Sequence, residues 1–471
     1  MAAASCPSTS CPSAPGPSTP GPVRTLDDLP PTPFHARLAA VAAGGPFCDG
    51  YILGIVGIAL PSLVQDRHLS SGGIGLVGAS ALLGVLAGGT LGGVVADRLG
   101  RKPLFTLNIA AFVVLSLLQA ACPDLATLVL LRFLLGVAVG ADYPIATAYV
   151  TEFMPRAWRG PILSGLILSW WVGYTASYAV GYLLSLLGDD FWRAGLASSA
   201  VPALLLFLMR AGLPESPRWL AQQGRIEEAR AVVRRHLRAD LSLGQESQGA
   251  LSVMQILRSR YRGPLLFVSA FWILQSAPGF AIHTLQAQLL TQYHVPGALL
   301  GSFILTGLTV LGILPVSLGL INRVGRRPLL MSTFAVSLAG LLLLGAAPAP
   351  AEWAVFLGFT LYSVAEAAGS GLQFVYPNEL FPTAIRATAM GLACSFSRLG
   401  AAFGTFLLPV GYARFGMQAM MLVAASCMLL GLLISWRWAP ETTGLRLDDT
   451  PRPPAHLAAG SLSDLPERTT R

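Results

Sequence analysis

A handful of ionisable side chains set inside long apolar runs carry the chemical interest of this chain: Asp49, Arg132, Asp142, His283, Glu366 and Arg398. Each is costly there unless it is paired, hydrogen-bonded or turned toward water, so each is a candidate for function. A carboxylate beside a guanidinium can work as a proton switch, because protonating the acid frees the arginine. Asp49 sits in Cys48-Asp49-Gly50-Tyr51, where Gly50 lets a helix or ligand come close. Arg132 lies ~10 Å along a helix from the end of its apolar run, too deep to snorkel without strain. With Asp142, whose other reading is a helix-terminus role beside Pro144, these form the expected proton-coupling set. Arg398 offers a bidentate fork to a carboxylate ligand, or a structural bridge to Glu366. Trp170, Tyr174, Tyr178 and Tyr182 recur every four residues and make one helix stripe, suited to packing or to lining a cavity. Trp272, Gln275, Tyr174, Tyr178, Glu366 and Arg398 are the expected substrate-binding residues. His283 has no partner at helical spacing and reads as packed or near a cavity mouth.

Other chemistries find no support. The six cysteines are scattered, with no CxxC, so neither a disulfide framework nor a metal site is expected. No nucleophile–base pair stands near a membrane face, so no catalytic residue, enzyme activity or cofactor is expected. A net charge of +8 invites nucleic acid as a partner, but the basic residues lie in loops between apolar runs, without aromatic interleaving or zinc spacing.

The elements that position these residues are membrane helices. Of 471 residues 54% are hydrophobic and 11% charged, too few charges to cover a soluble surface. Twelve segments near the ~20 residues needed to span hydrocarbon fall at 39–64, 73–96, 104–121, 125–150, 161–187 and 194–213, then 264–293, 298–320, 328–347, 352–377, 387–411 and 415–438. They predict an all-α membrane protein of twelve transmembrane helices in two pseudo-symmetric six-helix halves, 37–213 and 264–438. A linker at 214–263 holds amphipathic surface helices. Pro- and Ser-rich residues 1–36 read as a disordered tail with no signal-peptide core, and 439–471 as a second tail too small for a signalling domain. The loops on the side of both tails carry 18 Arg and Lys against three opposite, which places both termini in the cytoplasm. Gly84, Gly88 and Gly92, and likewise Gly136 and Gly140, form smooth stripes for close helix packing.

Internal repetition supports the two halves. Gly93-Val94-Val95-Ala96-Asp97-Arg98-Leu99-Gly100-Arg101-Lys102 returns 225 positions later, altered, as Asn322-Arg323-Val324-Gly325-Arg326-Arg327. Glu152-Phe153-Met154-Pro155 with Arg159 returns as Glu379-Leu380-Phe381-Pro382 with Arg386, and Pro214-Glu215-Ser216 as Pro440-Glu441-Thr442. Three motifs in one order at nearly one offset indicate duplication. Gly93, Asp97, Arg98, Gly100, Arg101, Lys102, Glu152, Arg159, Arg323, Arg326, Glu379 and Arg386 are the expected cytoplasmic gate, whose ion pairs at helix ends would break as the gate opens. Their other reading is to fix topology.

The stretch from Gly93 to Lys102 resembles the signature of the major facilitator superfamily, as does Arg132-Phe133-Leu134-Leu135-Gly136 in span four. Pro214-Glu215-Ser216-Pro217-Arg218 and Pro440-Glu441-Thr442-Thr443-Gly444 resemble its sugar-porter branch, closest to enterobacterial metabolite transporters with the runs Gly-Ala-Asp-Tyr-Pro and Tyr-Pro-Asn-Glu-Leu-Phe-Pro. The resemblance covers residues 36–445 and implies the major facilitator fold, a gating role for the basic motifs, and a monomer in the cell membrane. Three departures stand out. Sugar porters carry their span-one acid where Ile52 stands, one helical turn from Asp49; their span-seven amides are reduced to Gln275; and Asn322 and Leu318 replace an Asp and a Gly. Asp49 with Gly-Ala-Asp-Tyr-Pro is more similar to phosphate and organic-acid symporters.

The expected function is proton-coupled uptake of a small polar metabolite by alternating access, the partners being substrate, protons and the bilayer. A sugar or polyol and an organic carboxylate both remain open as substrate. A proton-independent facilitator, an exporter, or a sensor that keeps the fold without transporting are the alternatives.

Overall fold

The computed structural model describes residues 32–442 except 155, 189, 211, 238–258, 260, 347–349 and 382. Helices dominate it. The first half holds Pro33–Arg67, Ser71–Leu99, Arg101–Ala120, Leu125–Phe153 and Arg156–Ser185, with span six in two pieces, Trp192–Ser198 and Ala200–Arg210. The second holds Arg262–Gln292, Ala298–Pro315, Arg326–Gly345, Glu352–Leu380 and a long run, Thr383–Trp438. That run is two spans: Gly416 at φ 83° breaks it, a left-handed conformation that only glycine adopts without strain. Twelve spans result, as the apolar segments predict, and short helices Pro217–Gln222 and Ile226–Leu237 follow span six. Span eight ends in a five-residue wide turn, Val316–Leu320, bent at Gly319.

Local sequence explains the helix ends. Thr32 caps span one, its backbone N–H donating to His35 Nδ1 at 3.0 Å, with Pro33 at the first helical position. Asp124 caps span four, its Oδ1 accepting from the Thr127 N–H at 2.8 Å.

Within the first half, span two lies on span four and span one on span five. The glycine stripes explain the first contact: a Cβ on Gly84 would fall 2.1 Å from the Phe133 carbonyl oxygen, and one on Gly88 1.9 Å from that of Val137. Backbones this close leave room only for hydrogen. The halves meet along spans one and seven, two and eleven, and five and eight. Span one is buried on all sides through its middle, from Cys48 to Leu60, so it forms a wall of the central region.

Candidate functional site

Asp49 is 1% exposed, and neither carboxylate oxygen has a hydrogen-bond partner among the described residues. One turn earlier Gly45 presses on Asp142: a Cβ there would lie 2.1 Å from Asp142 Oδ2 and 3.1 Å from Arg210 Nη2. Asp142 is itself fully paired. Arg210 of span six donates through both terminal nitrogens to its Oδ1 at 3.1 Å, and Asn108 of span three adds Nδ2–H at 3.2 Å. Arg210 also donates to the Phe105 carbonyl at 2.6 Å and covers the Phe105 ring. Spans three, four and six are thus tied by one buried charge cluster, and span one passes over it on glycine. The charges that bear on Asp49 are Asp142 and Arg210 of this cluster and, from the other half, Arg398.

Two sequence readings change here. Arg132 makes no hydrogen bond or ion pair with Asp49; it is 1% exposed, its Nη1 donates to the Ile52 carbonyl at 3.5 Å, and Nε has no partner among the described residues. The guanidinium that meets a buried carboxylate here is Arg210, near the end of span six, which the sequence reading did not single out. Asp142 is no helix terminus, since its span continues to Phe153.

In the second half Glu366 pairs with His283, Nε2 to Oε2 at 3.1 Å. Arg398 therefore makes no bridge to Glu366. Its guanidinium lies over the Phe280 ring at 4.8 Å, and its Nε has no hydrogen-bond partner among the described residues. Gln275 is engaged within the protein, its amide nitrogen donating to the Glu366 carbonyl at 3.2 Å and its oxygen accepting from Gln373 at 3.0 Å. Trp272 is buried behind it.

The aromatic stripe of span five faces the seam between the halves. Trp170 stacks on Tyr174 and Tyr174 on Tyr178, at 5.2 and 5.5 Å between centroids. Tyr178 donates to the His283 carbonyl at 2.9 Å, Thr175 to the Thr306 carbonyl at 3.1 Å, and Trp171 Nε1 to Ser370 Oγ at 3.1 Å. Tyr174 and Tyr178 are buried, so the stripe closes the seam; Trp170 remains half-buried beside Phe280.

On the motif-bearing face the duplicated sequences occupy matching places. Glu215 accepts from the backbone N–H groups of Arg101 and Lys102 at 3.1 Å, and Glu441 from those of Arg326 and Arg327 at 3.0 and 3.1 Å. Each carboxylate thus sits on a helix N-terminus, where backbone donors and the dipole favour an anion. Gly100 and Gly325 precede these helices at φ 100° and 94°, and a Cβ on either would meet the glutamate within 3 Å. Tyr149 and Tyr376 donate likewise to the carbonyls of Pro214 and Pro440. Arg326 also clamps Glu379, Nη2 to Oε1 at 2.7 Å, and Glu379 accepts from Thr442. These bonds join helices of the same half. Arg323 is exposed, and the side chains at Gly93, Asp97, Arg98, Glu152, Arg159 and Arg386 lie outside those described. The sequence showed the repeat but not these capping roles of Glu215 and Glu441; a glycine just before each basic pair was the available signal.

Twelve apolar helices in two matching halves, with a buried charge cluster in each and basic motifs on one face, define a multi-pass membrane carrier. The chain belongs to the family described as Sugar (and other) transporter, which it matches over residues 38–452, within the major facilitator superfamily. YaaU of Escherichia coli (strain K12) is 37% identical over 430 residues, 91% of this chain and 97% of its own. YgcS of the same strain, an inner membrane metabolite transport protein, is 37% identical over 90% of this chain and 95% of its own. Among solved structures, the xylose transporter XylE of Escherichia coli in a partially occluded inward-open conformation matches with a TM-score of 0.75, covering 88% of this chain and 100% of that one at 24% identity.

Proposed function

We propose that the protein is a proton-coupled secondary transporter that takes up a small polar metabolite across the cytoplasmic membrane, as a monomer with both termini in the cytoplasm. The observation that carries this reading is Asp49, buried in span one with no donor on either oxygen among the described residues. A buried carboxylate so placed sheds its cost by binding a proton or by meeting a cation. The cation within electrostatic reach from the opposite half is Arg398. Rocking of the halves changes that distance, so proton occupancy at Asp49 is tied to which side is open. The duplicated basic motifs on the cytoplasmic face hold the helix ends that move.

Arg398 also favours an organic carboxylate as substrate. It stands on an aromatic face with hydrogen bonds to give, and a carboxylate is the group its fork fits. A sugar or polyol is the second reading, favoured by half-buried Trp170 and by sugar-transporting relatives such as the glucose transporter GlcP of Staphylococcus epidermidis, 27% identical. The engagement of Gln275 by Glu366 and Gln373 weighs against it, since half of that amide's hydrogen-bonding capacity is already taken. Uptake of pooled labelled carboxylates and of pooled sugars into proteoliposomes, with and without an inward proton gradient, tests both. Gradient-driven carboxylate uptake lost in Asp49→Asn and Arg398→Ala is expected. Uptake indifferent to the gradient and to Asp49→Asn refutes proton coupling, and sugar uptake untouched by Arg398→Ala refutes the carboxylate.

A further inference from the structure

The buried pair of His283 and Glu366 has no part in the scheme above. Its side chains are 6% and 8% exposed, and the imidazole has one nitrogen on Glu366 while the other, Nδ1, is buried without a partner among the described residues. With Nε2–H donating to the carboxylate, Nδ1 holds a lone pair in an apolar box. Trp171 and Tyr174 of span five stand edge-on to the ring at 5.3 and 6.2 Å, and Tyr362 of span ten lies at 6.1 Å. Such a box disfavours an unbalanced charge, and a carboxylate at hydrogen-bond distance suits an imidazolium.

The box is built by both halves. Span five, which supplies Trp171, Tyr174 and Tyr178, belongs to the first; span seven, with His283, and span ten, with Glu366 and Tyr362, belong to the second. The three hydrogen bonds that fasten span five to the other half surround the pair: Tyr178 to the carbonyl of His283 itself, Trp171 to Ser370 one turn past Glu366, and Thr175 to Thr306. Beyond them Tyr182 stacks on Phe303. The titratable and charged neighbours are few. Tyr174 and Tyr178 face the pair from span five, Tyr362 from span ten, Arg398 lies on Phe280 beside the turn that touches Glu366, and Cys427 of span twelve lies behind Tyr362. Of the charges that bear on Asp49, Arg398 is shared with this pair, whereas Asp142 and Arg210 are not among its neighbours.

We infer that His283 and Glu366 form a second proton-binding site, separate from Asp49, whose proton fastens the two halves together on the outer side. A proton taken from the outer water adds to the Nδ1 lone pair, no bond breaks, and the positive charge is balanced by the Glu366 carboxylate. Span five then closes over a pair with no net charge in place of an unbalanced buried carboxylate. Loss of the proton weakens that contact about tenfold. The inference rests on the alternating-access reading, but its test needs no substrate.

The test uses the full chain with its six cysteines replaced by serine and Phe303→Cys added, in right-side-out vesicles. A membrane-impermeant maleimide reports outer opening. Its rate is divided by that of Leu187→Cys, an exposed loop position, to cancel the intrinsic pH dependence of the thiol. Between pH 5.5 and 8 the ratio is expected to rise about tenfold, to flatten in His283→Gln and in Glu366→Gln, and to persist in Asp49→Asn. Tyr178→Phe, which cuts the seam bond to the His283 backbone carbonyl but leaves the imidazole and the Glu366 carboxylate in place, raises the ratio at every pH and leaves its slope. A slope unchanged in His283→Gln and Glu366→Gln, or abolished by Asp49→Asn, overturns the second site. Proton-independent uptake alongside a persistent slope would instead refute coupling and leave the second site standing.

Discussion

Replacing Arg210 by methionine should be among the most damaging single changes in the first half. The Asp142 and Arg210 side chains are 0% and 1% exposed with a shortest contact of 3.1 Å. At an effective dielectric of about 20 that contact is worth about 5 kcal/mol of Coulomb energy. Most of this offsets the desolvation of the two ions, so removing both charges costs far less than removing one. Arg210→Met strands a buried Asp142 with only Asn108 for a partner, and Asp142→Asn strands the guanidinium on Phe105. Each should cost about 3–5 kcal/mol. The double variant loses the hydrogen bond to the Phe105 carbonyl and little else, about 1–2 kcal/mol. Unfolding in mixed micelles with a rising fraction of a denaturing detergent, followed by tryptophan fluorescence, gives all four corners of the cycle. Costs that add, or an Arg210→Met cost below about 1 kcal/mol, refute the claim that this cluster ties spans three, four and six.

Two further outcomes follow from local geometry. Gly88→Ala places a methyl 1.9 Å from the Val137 carbonyl, so spans two and four must separate, and a loss of about 1–3 kcal/mol is expected in the same assay; Gly165→Ala, with nothing near its Cβ, should be neutral or slightly stabilising. In the helix Ile226–Leu237, outside the spans, burial first and then Arg235 and Arg37 push the His236 imidazole below its usual range. The folded state therefore resists a proton that the unfolded state accepts, and stability falls as pH drops below about 6.5. Amide exchange in this helix, whose His236 packs on Phe34 of span one, should quicken between pH 7.5 and 5.5, and His236→Gln should remove that dependence.

Much of the fold was legible because membrane helices write themselves in composition. Length, apolar runs and repeat offsets are properties of single segments, and they placed twelve spans. The site was legible only as a list of members. Asp49, Asp142, Glu366 and Arg398 declared themselves by being charged inside spans, but which met which depends on helix rotation and neighbour order. Arg210 escaped notice because a basic residue at a helix end is ordinary, and nothing in the sequence shows that this one turns inward across Phe105. His283 looked solitary because its partner lies 83 positions away on another helix. Sequence spacing cannot pair residues across helices.

The displaced acid of span one makes sense once these pairs are known. Sugar porters carry the acid at the Ile52 position, and here the buried Arg132 gives its Nη1 to the Ile52 carbonyl. The guanidinium meets backbone at the position where the resemblance would put a carboxylate. One turn away, Asp49 comes under Asp142 and Arg210, a pair already neutral in itself. An acid beside a balanced pair feels a dipole, weaker than the full charge of a dedicated arginine. Its counter-charge must then come from across the seam, from Arg398 or from a proton. Under the proposed alternating access, which changes the distance between the halves, Asp49 would respond to that distance.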